Sequence, residues 1–211
     1  MRSFPVAWRW TLAALIAVVA LAVAIWPRGA HGTSRTTAET TRVPSAAVSQ
    51  DMRAAARLAD CPVPASDARG RGPLAGITVD CLADGRPVDL AAALAGRPAL
   101  LNLWTYWCPP CAEELPALQR YATRPGAVPV LTVHSDPDEA KALARLTDLD
   151  VRLPGVQDPA ARVRAAAGAP AVQPISVLVR PDGSIAKVVV RPFRDADDIA
   201  ATVAAELGVS A

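Results

Sequence analysis

Histidine and an excess of charge of either sign are what this sequence most clearly lacks. Its 22 Lys and Arg residues nearly balance 20 Asp and Glu residues, which leaves a formal net charge of +2 in 211 residues. This balance gives no reason to expect nucleic acid as a partner. The two histidines, His31 and His134, are isolated, and no second ligand pair accompanies the closely spaced cysteines. A metal site is therefore not predicted, and neither is a cofactor.

Charge is also absent from residues 10–26, a run of 17 residues (WTLAALIAVVALAVAIW) near the N-terminus. As a helix this run would rise about 26 Å, close to the thickness of a bilayer core. Arg2 and Arg9 precede it, and Trp10 and Trp26 stand where interfacial aromatic residues are expected. The run exceeds the core of an ordinary signal peptide, so we predict an uncleaved anchor. The chain would then be a single-pass protein of the cell membrane, with its folded part on the extracytoplasmic side.

A cleaved signal peptide is the alternative for this run, because residues 22–24 (AVA) have the small-residue form of a cleavage site. That alternative also places the rest of the chain outside the cytoplasm. A lipoprotein is not favoured, since none of the four cysteines follows the run closely.

The sequence divides into four segments. Residues 1–27 are predicted to form a cytoplasmic stub and a transmembrane signal anchor, and residues 28–59 a flexible linker. The linker is rich in Gly, Ser, Thr and Arg and has little apolar periodicity, although a short helix is expected near residues 51–59. Residues 60–72 would be an N-terminal extension of the folded domain, which spans residues 73–211.

Within that domain, strand and helix patterns alternate. Strands are expected at 77–79, 99–105 and 128–134, and a hairpin at 175–179 and 185–190 around the turn sequence RPDG. Helix start signals occur at Pro109, at Ser135 or Asp136, at Asp158 and at Asp195. This order predicts an α/β layered domain.

The segment Trp107-Cys108-Pro109-Pro110-Cys111 carries the chemistry. A C-x-x-C at a helix start places the first sulfur near unpaired backbone N–H groups and the positive end of the helix dipole. This environment favours the reactive thiolate, and the second cysteine can then resolve a mixed disulfide formed by the first. Pro109 and Pro110 remove two N–H donors, which predicts weaker thiolate stabilisation and a more reducing couple. An inert structural disulfide is the less favoured interpretation.

Residues 102–118 (NLWTYWCPPCAEELPAL) and 173–183 (QPISVLVRPDG) resemble the thioredoxin superfamily, and within it the membrane-anchored TlpA/ResA-type thiol–disulfide oxidoreductases. The resemblance implies a thioredoxin-like fold, in which helices flank a central mixed β-sheet, with an N-terminal transmembrane anchor.

The resemblance also implies roles for individual residues. Pro174 matches the cis-proline that faces the active site, and Trp107 is expected to shape the surface around Cys108. Glu114 matches a glutamate that these reductases use near the thiols, although a solvated glutamate is an equal alternative. Asn102 stands where cytoplasmic thioredoxin has a buried aspartate, so proton transfer would have to use Glu114 or water.

Cys61 and Cys81 precede the C-x-x-C pair and have no such motif around them. In an oxidising compartment they are most simply a structural disulfide, which on the chain-entropy model stabilises the fold by about 3 kcal/mol. An electron relay to the main pair is the alternative.

The predicted function is an anchored enzyme that reduces disulfides of cysteine-containing exported proteins. Cytochrome c maturation is one candidate task, as in TlpA/ResA-type relatives. A membrane electron donor or acceptor would serve as the redox partner. The alternatives are a disulfide-forming oxidase and a non-catalytic peptide-binding module.

Overall fold

One seven-stranded sheet organises residues 48–209, the part of the chain that the computed structural model describes. The strands are β1 (Thr78–Cys81), β2 (Pro87–Asp89), β3 (Ala99–Trp104), β4 (Val130–His134), β5 (Gly155–Gln157), β6 (Ile175–Val179) and β7 (Ile185–Val189). The helices are α1 (Gln50–Ala56), α2 (Leu90–Leu94), α3 (Pro109–Ala122), α4 (Glu139–Asp148), α5 (Arg162–Ala166) and α6 (Ala196–Leu207).

The strand order is β2-β1-β5-β4-β3-β6-β7. The two contacts β3–β4 and β4–β5 are parallel, whereas β1, β2, β6 and β7 pair with their neighbours in antiparallel directions. Helices flank this sheet, so the predicted thioredoxin-like fold with a central mixed sheet is confirmed.

Strand β3 lies inside the sheet between β4 and β6 and is buried along its whole length, as its nearly unbroken apolar run predicted. Its two faces belong to two cores. Leu100 and Trp104 pack in the core that includes residues of α3, α4 and α6, whereas Leu101 and Leu103 pack with residues of α2 and α5. The carboxyl end of β3 leads directly into the cysteine motif, so both cores fix the position of that motif.

Two helices begin later than their start signals predicted. Asp138 caps α4 by accepting from the N–H of Lys141, because Asp136 instead accepts from the N–H of Asp138 and holds Pro137 in a turn before the helix. The carboxylate of Asp158 accepts from the N–H groups of residues 162 and 163, so it caps α5 from several residues upstream. The start of α6 at Asp195 agrees with the prediction.

Helix α1 lies inside the segment predicted as a flexible linker, near the position of the expected short helix. Nη1 of Arg53 donates to the carbonyl oxygens of Cys81 (3.2 Å) and Leu82 (2.7 Å) and pairs with Glu139 at 2.8 Å. Ala56 is buried. Residues 50–56 therefore contact the folded domain, although the sequence analysis assigns them to the linker. Arg53 binds residues that are distant in the sequence, and Val48, Ala56 and Leu58 pack with the core, so the contacts of this segment do not follow from its weak apolar periodicity.

The predicted anchor at residues 10–26 lies outside the described residues, as does most of the predicted linker. Between residues 48 and 209, no helix combines the length and the hydropathy that crossing a membrane requires.

Candidate active site

Cys108 is the N-cap of α3 and is joined to Cys111 by a disulfide of 2.08 Å, with 5.3 Å between the two Cα atoms. The N–H of Cys111 lies 3.3 Å from Sγ of Cys108 and points to it. Pro109 and Pro110 occupy the first two helical positions, where a missing N–H breaks no intrahelical bond. The sulfur of Cys108 therefore lies at the positive end of a 14-residue helix, as the motif predicted.

The two sulfurs differ in access to solvent. Cys111 is fully buried, whereas Cys108 keeps 4% of its surface exposed and lines an open groove. Trp107 is 59% exposed, and its Nε1 donates to Oδ2 of Asp136 at 3.0 Å, which holds the indole at the surface beside Cys108. An incoming disulfide can therefore reach Cys108 before Cys111.

The groove beside Cys108 has a volume of about 440 Å³. Its walls come from the ends of β3 and β4, from the start of α3, from α5 and from the loop before β6. The lining residues are Thr105, Trp107, Cys108, Pro109, Pro110, Ser135, Arg164, Ala171, Val172 and Gln173.

The peptide bond between Gln173 and Pro174 is cis, as the family resemblance implied. Pro174 is buried, and its neighbour Gln173 lines the groove. Oγ1 of Thr105 donates to Oε1 of Gln173 at 2.7 Å, so the loop before β6 is tied to the end of β3. The cysteine motif and the proline loop thus form two sides of the same groove.

Glu114 is buried under this site, and the alternative of a solvated side chain is wrong. Its Oε2 accepts from Nδ2 of Asn102 at 2.8 Å, and its Oε1 accepts from the backbone N–H of Phe193 at 2.8 Å. Burial is the dominant influence and raises the pKa of Glu114 to about 7, despite these two donors. Glu114 stands three residues after Cys111, which places both on the same face of α3. Glu113, by contrast, is exposed.

Asn102 connects this carboxylate to the sheet. Its Nδ2 also donates to Oγ of Ser176 at 3.2 Å, and Ser176 faces Asn102 across the antiparallel β3–β6 pair. Sequence reasoning missed Ser176 and the N–H of Phe193. The one signal for Ser176 was a single hydroxyl within the apolar strand ISVLV. A backbone donor such as the N–H of Phe193 leaves no trace in the sequence.

Cys61 and Cys81 form a second disulfide of 2.05 Å, with 6.0 Å between the Cα atoms. The predicted pairing is therefore confirmed. Cys81 ends β1 and Cys61 lies in the N-terminal extension, with exposed fractions of 1% and 5%. Neither cysteine lines the groove beside Cys108.

Thiol–disulfide oxidoreductases of the thioredoxin superfamily are the class that this fold and this cysteine pair define. The model of the Redoxin family matches residues 55–204, well over half of the sequence, so the chain belongs to that family.

Individual relatives agree with this placement. A solved structure of a secreted Mycobacterium tuberculosis disulfide oxidoreductase, described as homologous to E. coli DsbE, is 30% identical, with a TM-score of 0.54 over 63% of this chain and 97% of that one. The soluble secreted antigen MPT53 of M. tuberculosis is 31% identical over 100 residues, which are 47% of this chain and 57% of the relative. The thiol:disulfide interchange protein DsbE of Pseudomonas aeruginosa is 40% identical over 58 residues, 28% of this chain and 31% of the relative. The chain thus spans less than two thirds of the length of either curated relative.

Proposed function

We propose that this chain is an extracytoplasmic enzyme that reduces disulfides of exported proteins through Cys108 and Cys111. The observation that supports the proposal best is the position of Cys108, which caps a helix and lines an open groove of about 440 Å³. In this proposal residues 10–26 anchor the enzyme in the membrane, and a membrane electron donor restores the dithiol.

The proposed reaction has two exchange steps. In the reduced enzyme, the Cys108 thiolate attacks one sulfur of a client disulfide, and the other client sulfur leaves as a thiolate. Cys111 then loses its proton, and its sulfur attacks Sγ of Cys108. The client's second sulfur leaves, and the Cys108–Cys111 disulfide closes. Two electrons pass from the enzyme to the client, which ends as a dithiol.

Glu114 is proposed to accept the proton of Cys111. A carboxylate with a pKa of about 7 is a better base for a thiol than an ordinary exposed glutamate, because the two pKa values are closer. Asn102 and the N–H of Phe193 hold the carboxylate in place. The Asn102 side chain is an amide and cannot itself accept the proton.

The direction of transfer is proposed to be reductive, because Pro109 and Pro110 withhold two N–H groups from the thiolate of Cys108. Equilibration with glutathione buffers tests this direction. A potential near that of thioredoxin, about −270 mV, supports a reductase, whereas a value near about −120 mV would indicate the disulfide-forming oxidase.

The extracytoplasmic location is supported by the apolar run at 10–26 and by the relatives whose names describe them as secreted. The Cys61–Cys81 disulfide, proposed to be structural, also suits an oxidising compartment. Cell fractionation, with and without alkaline extraction of membranes, tests both the location and the anchor.

Client capture in living cells tests the function itself. In a Cys111→Ser variant, Cys108 cannot be released, so it should remain disulfide-bonded to its clients, which mass spectrometry identifies. Apocytochromes or haem-handling proteins would point to cytochrome c maturation, and varied secreted proteins would point to general repair. A Cys108→Ser variant that still binds peptides while wild-type enzyme exchanges no disulfides would instead support the non-catalytic binding module.

A further inference from the structure

Only one charged side chain, that of Arg164, is among the described residues that line the groove beside Cys108. The other lining side chains are apolar, except for two hydroxyls, an amide and the Cys108 sulfur. A single fixed charge in such a groove is a strong determinant of which peptides fit, since charge complementarity selects partners more than it adds affinity.

Arg164 is also poorly satisfied within the protein. Its Nη1 reaches the carbonyl oxygen of Ala169 at 3.4 Å, near the limit for a hydrogen bond, and within residues 48–209 no carboxylate pairs with it. Arg162, two residues earlier on the same helix, is paired with Asp158. A guanidinium carries five donors in a planar fork that matches a carboxylate, so most of the capacity of Arg164 is unused.

A second polar group of the groove lacks a partner as well. Oγ of Ser135 is shielded from solvent and has no hydrogen-bond partner in the described part of the chain. Asp136, the next residue, does not line the groove. Its two carboxylate oxygens accept from Nε1 of Trp107 and from the N–H of Asp138.

The order of the strands sets the scale of the distance between Arg164 and Cys108. Cys108 follows β3, Ser135 follows β4 and Arg164 follows β5, and these three strands are parallel neighbours. Their carboxyl ends meet at one edge of the sheet, and the ends of β3 and β5 are about two strand spacings, or 10 Å, apart. Cys108 and Arg164, which follow those ends by four and seven residues, line the same groove. An extended peptide covers that distance in about three residues.

We propose that Arg164 is a specificity residue that selects clients with an acidic side chain about three residues from the reactive cysteine. This inference rests on the proposed reductase function. The carboxylate would bind the guanidinium of Arg164.

Peptides with one cysteine capped by 2-mercaptoethanol test the proposal, because this cap adds no charge to the peptide. The peptides differ only in a Glu, Gln or Lys placed three residues before or after the cysteine. Stopped-flow fluorescence gives the rate constant for reduction of each peptide by the wild-type dithiol enzyme, by R164Q, by R164K and by R120Q. Arg120 is exposed on α3 and does not line the groove, so R120Q is the matched control.

We expect wild-type enzyme and R120Q to reduce one Glu peptide about fivefold faster than its Gln counterpart, and the Lys peptide more slowly still. R164Q should reduce the Glu and Gln peptides at equal rates, and R164K should keep part of the preference. High salt should weaken the preference. Equal Glu and Gln rates in wild-type enzyme, or an undiminished Glu preference in R164Q, would overturn the inference while leaving the reductase function intact. If wild-type enzyme reduces no peptide at all, the proposed function fails and the inference fails with it.

Discussion

The two disulfides of this protein have almost the same bond length but contrasting surroundings. Cys108 and Cys111 are three positions apart at the start of a helix, and Cys108 borders an open groove. Cys61–Cys81 spans 20 positions and joins the N-terminal extension to β1, where neither cysteine caps a helix, and it is about as buried as Cys108–Cys111. Reactivity should therefore follow position at a helix start, whereas stabilisation should follow the length of chain that each bond closes.

Removal of the attacking sulfur should give the largest effect. Cys108→Ser should lower the rate of insulin reduction at least about a thousandfold, because the attacking nucleophile is lost. The matched control is the double variant Cys61→Ser/Cys81→Ser, measured at a temperature where it remains folded, which should keep most of the activity. If that control were as inactive as Cys108→Ser, the second disulfide would belong to the catalytic relay.

Stability should depend more on the Cys61–Cys81 disulfide than on Cys108–Cys111, which is the reverse of the order expected for activity. Replacing Cys61 and Cys81 by Ala should lower the free energy of unfolding by about 3 kcal/mol, since the chain-entropy model assigns that value to a loop of this length. Replacing Cys108 and Cys111 by Ala should cost about 2 kcal/mol, because the ring is much shorter. Urea unfolding of both variants and of oxidised wild-type protein measures the difference. An equal or reversed order would remove the structural role proposed for Cys61–Cys81.

The free energy of unfolding should depend on pH because of Glu114, which lies on the same helix as the catalytic cysteines. Glu114 has a folded-state pKa of about 7 against 4.5 for the ordinary side chain, so the folded state binds more protons than the unfolded state between these values. Stability should be greatest at low pH in this window and should fall by up to about 3 kcal/mol as the pH rises from 4.5 to 7. Glu114→Gln should abolish this fall, whereas Glu113→Gln, on the exposed side of α3, should not. An unchanged pH dependence in Glu114→Gln would show that another group is responsible.

The same variant should also slow the second exchange step. Without its carboxylate, Glu114→Gln should resolve a preformed Cys108 mixed disulfide about a hundredfold more slowly at pH 7. Quenched-flow alkylation followed by mass spectrometry measures this rate. Resolution at the wild-type rate would mean that water, rather than Glu114, accepts the proton of Cys111.

The smallest expected effect concerns the helix start itself. Pro109→Gly restores one N–H near the sulfur, so it should lower the pKa of the Cys108 thiol and raise the reduction potential by about 10–30 mV. Thiolate absorbance at 240 nm and glutathione equilibration measure the two quantities. Pro62→Gly, beside the buried disulfide, is the control and should leave both unchanged. An unchanged or higher pKa in Pro109→Gly would contradict the proposed effect of the prolines.

How far the sequence predicts this structure depends on the range of each interaction. The buried strand β3, the cysteine at the start of α3, the β6–β7 hairpin and the start of α6 follow from neighbouring residues, and all are present. The contacts of Glu114 join residues that are 12 and 79 positions apart, and Arg53 reaches residues 28 and 29 positions away. Such contacts depend on how the strands are ordered, which local patterns do not encode. The family resemblance indicated Glu114, but only the fold reveals Asn102 and Phe193 as the donors that position it.

A redox titration that follows both disulfides at once tests the central contrast most directly. The protein is equilibrated in buffers of decreasing potential and alkylated, and mass spectrometry then quantifies each cysteine pair. We expect two separate transitions, with Cys108–Cys111 opening first, at about −270 mV, and Cys61–Cys81 opening only below about −300 mV. A single shared transition, or opening of Cys61–Cys81 first, would contradict the assignment of catalysis to Cys108 and Cys111 alone.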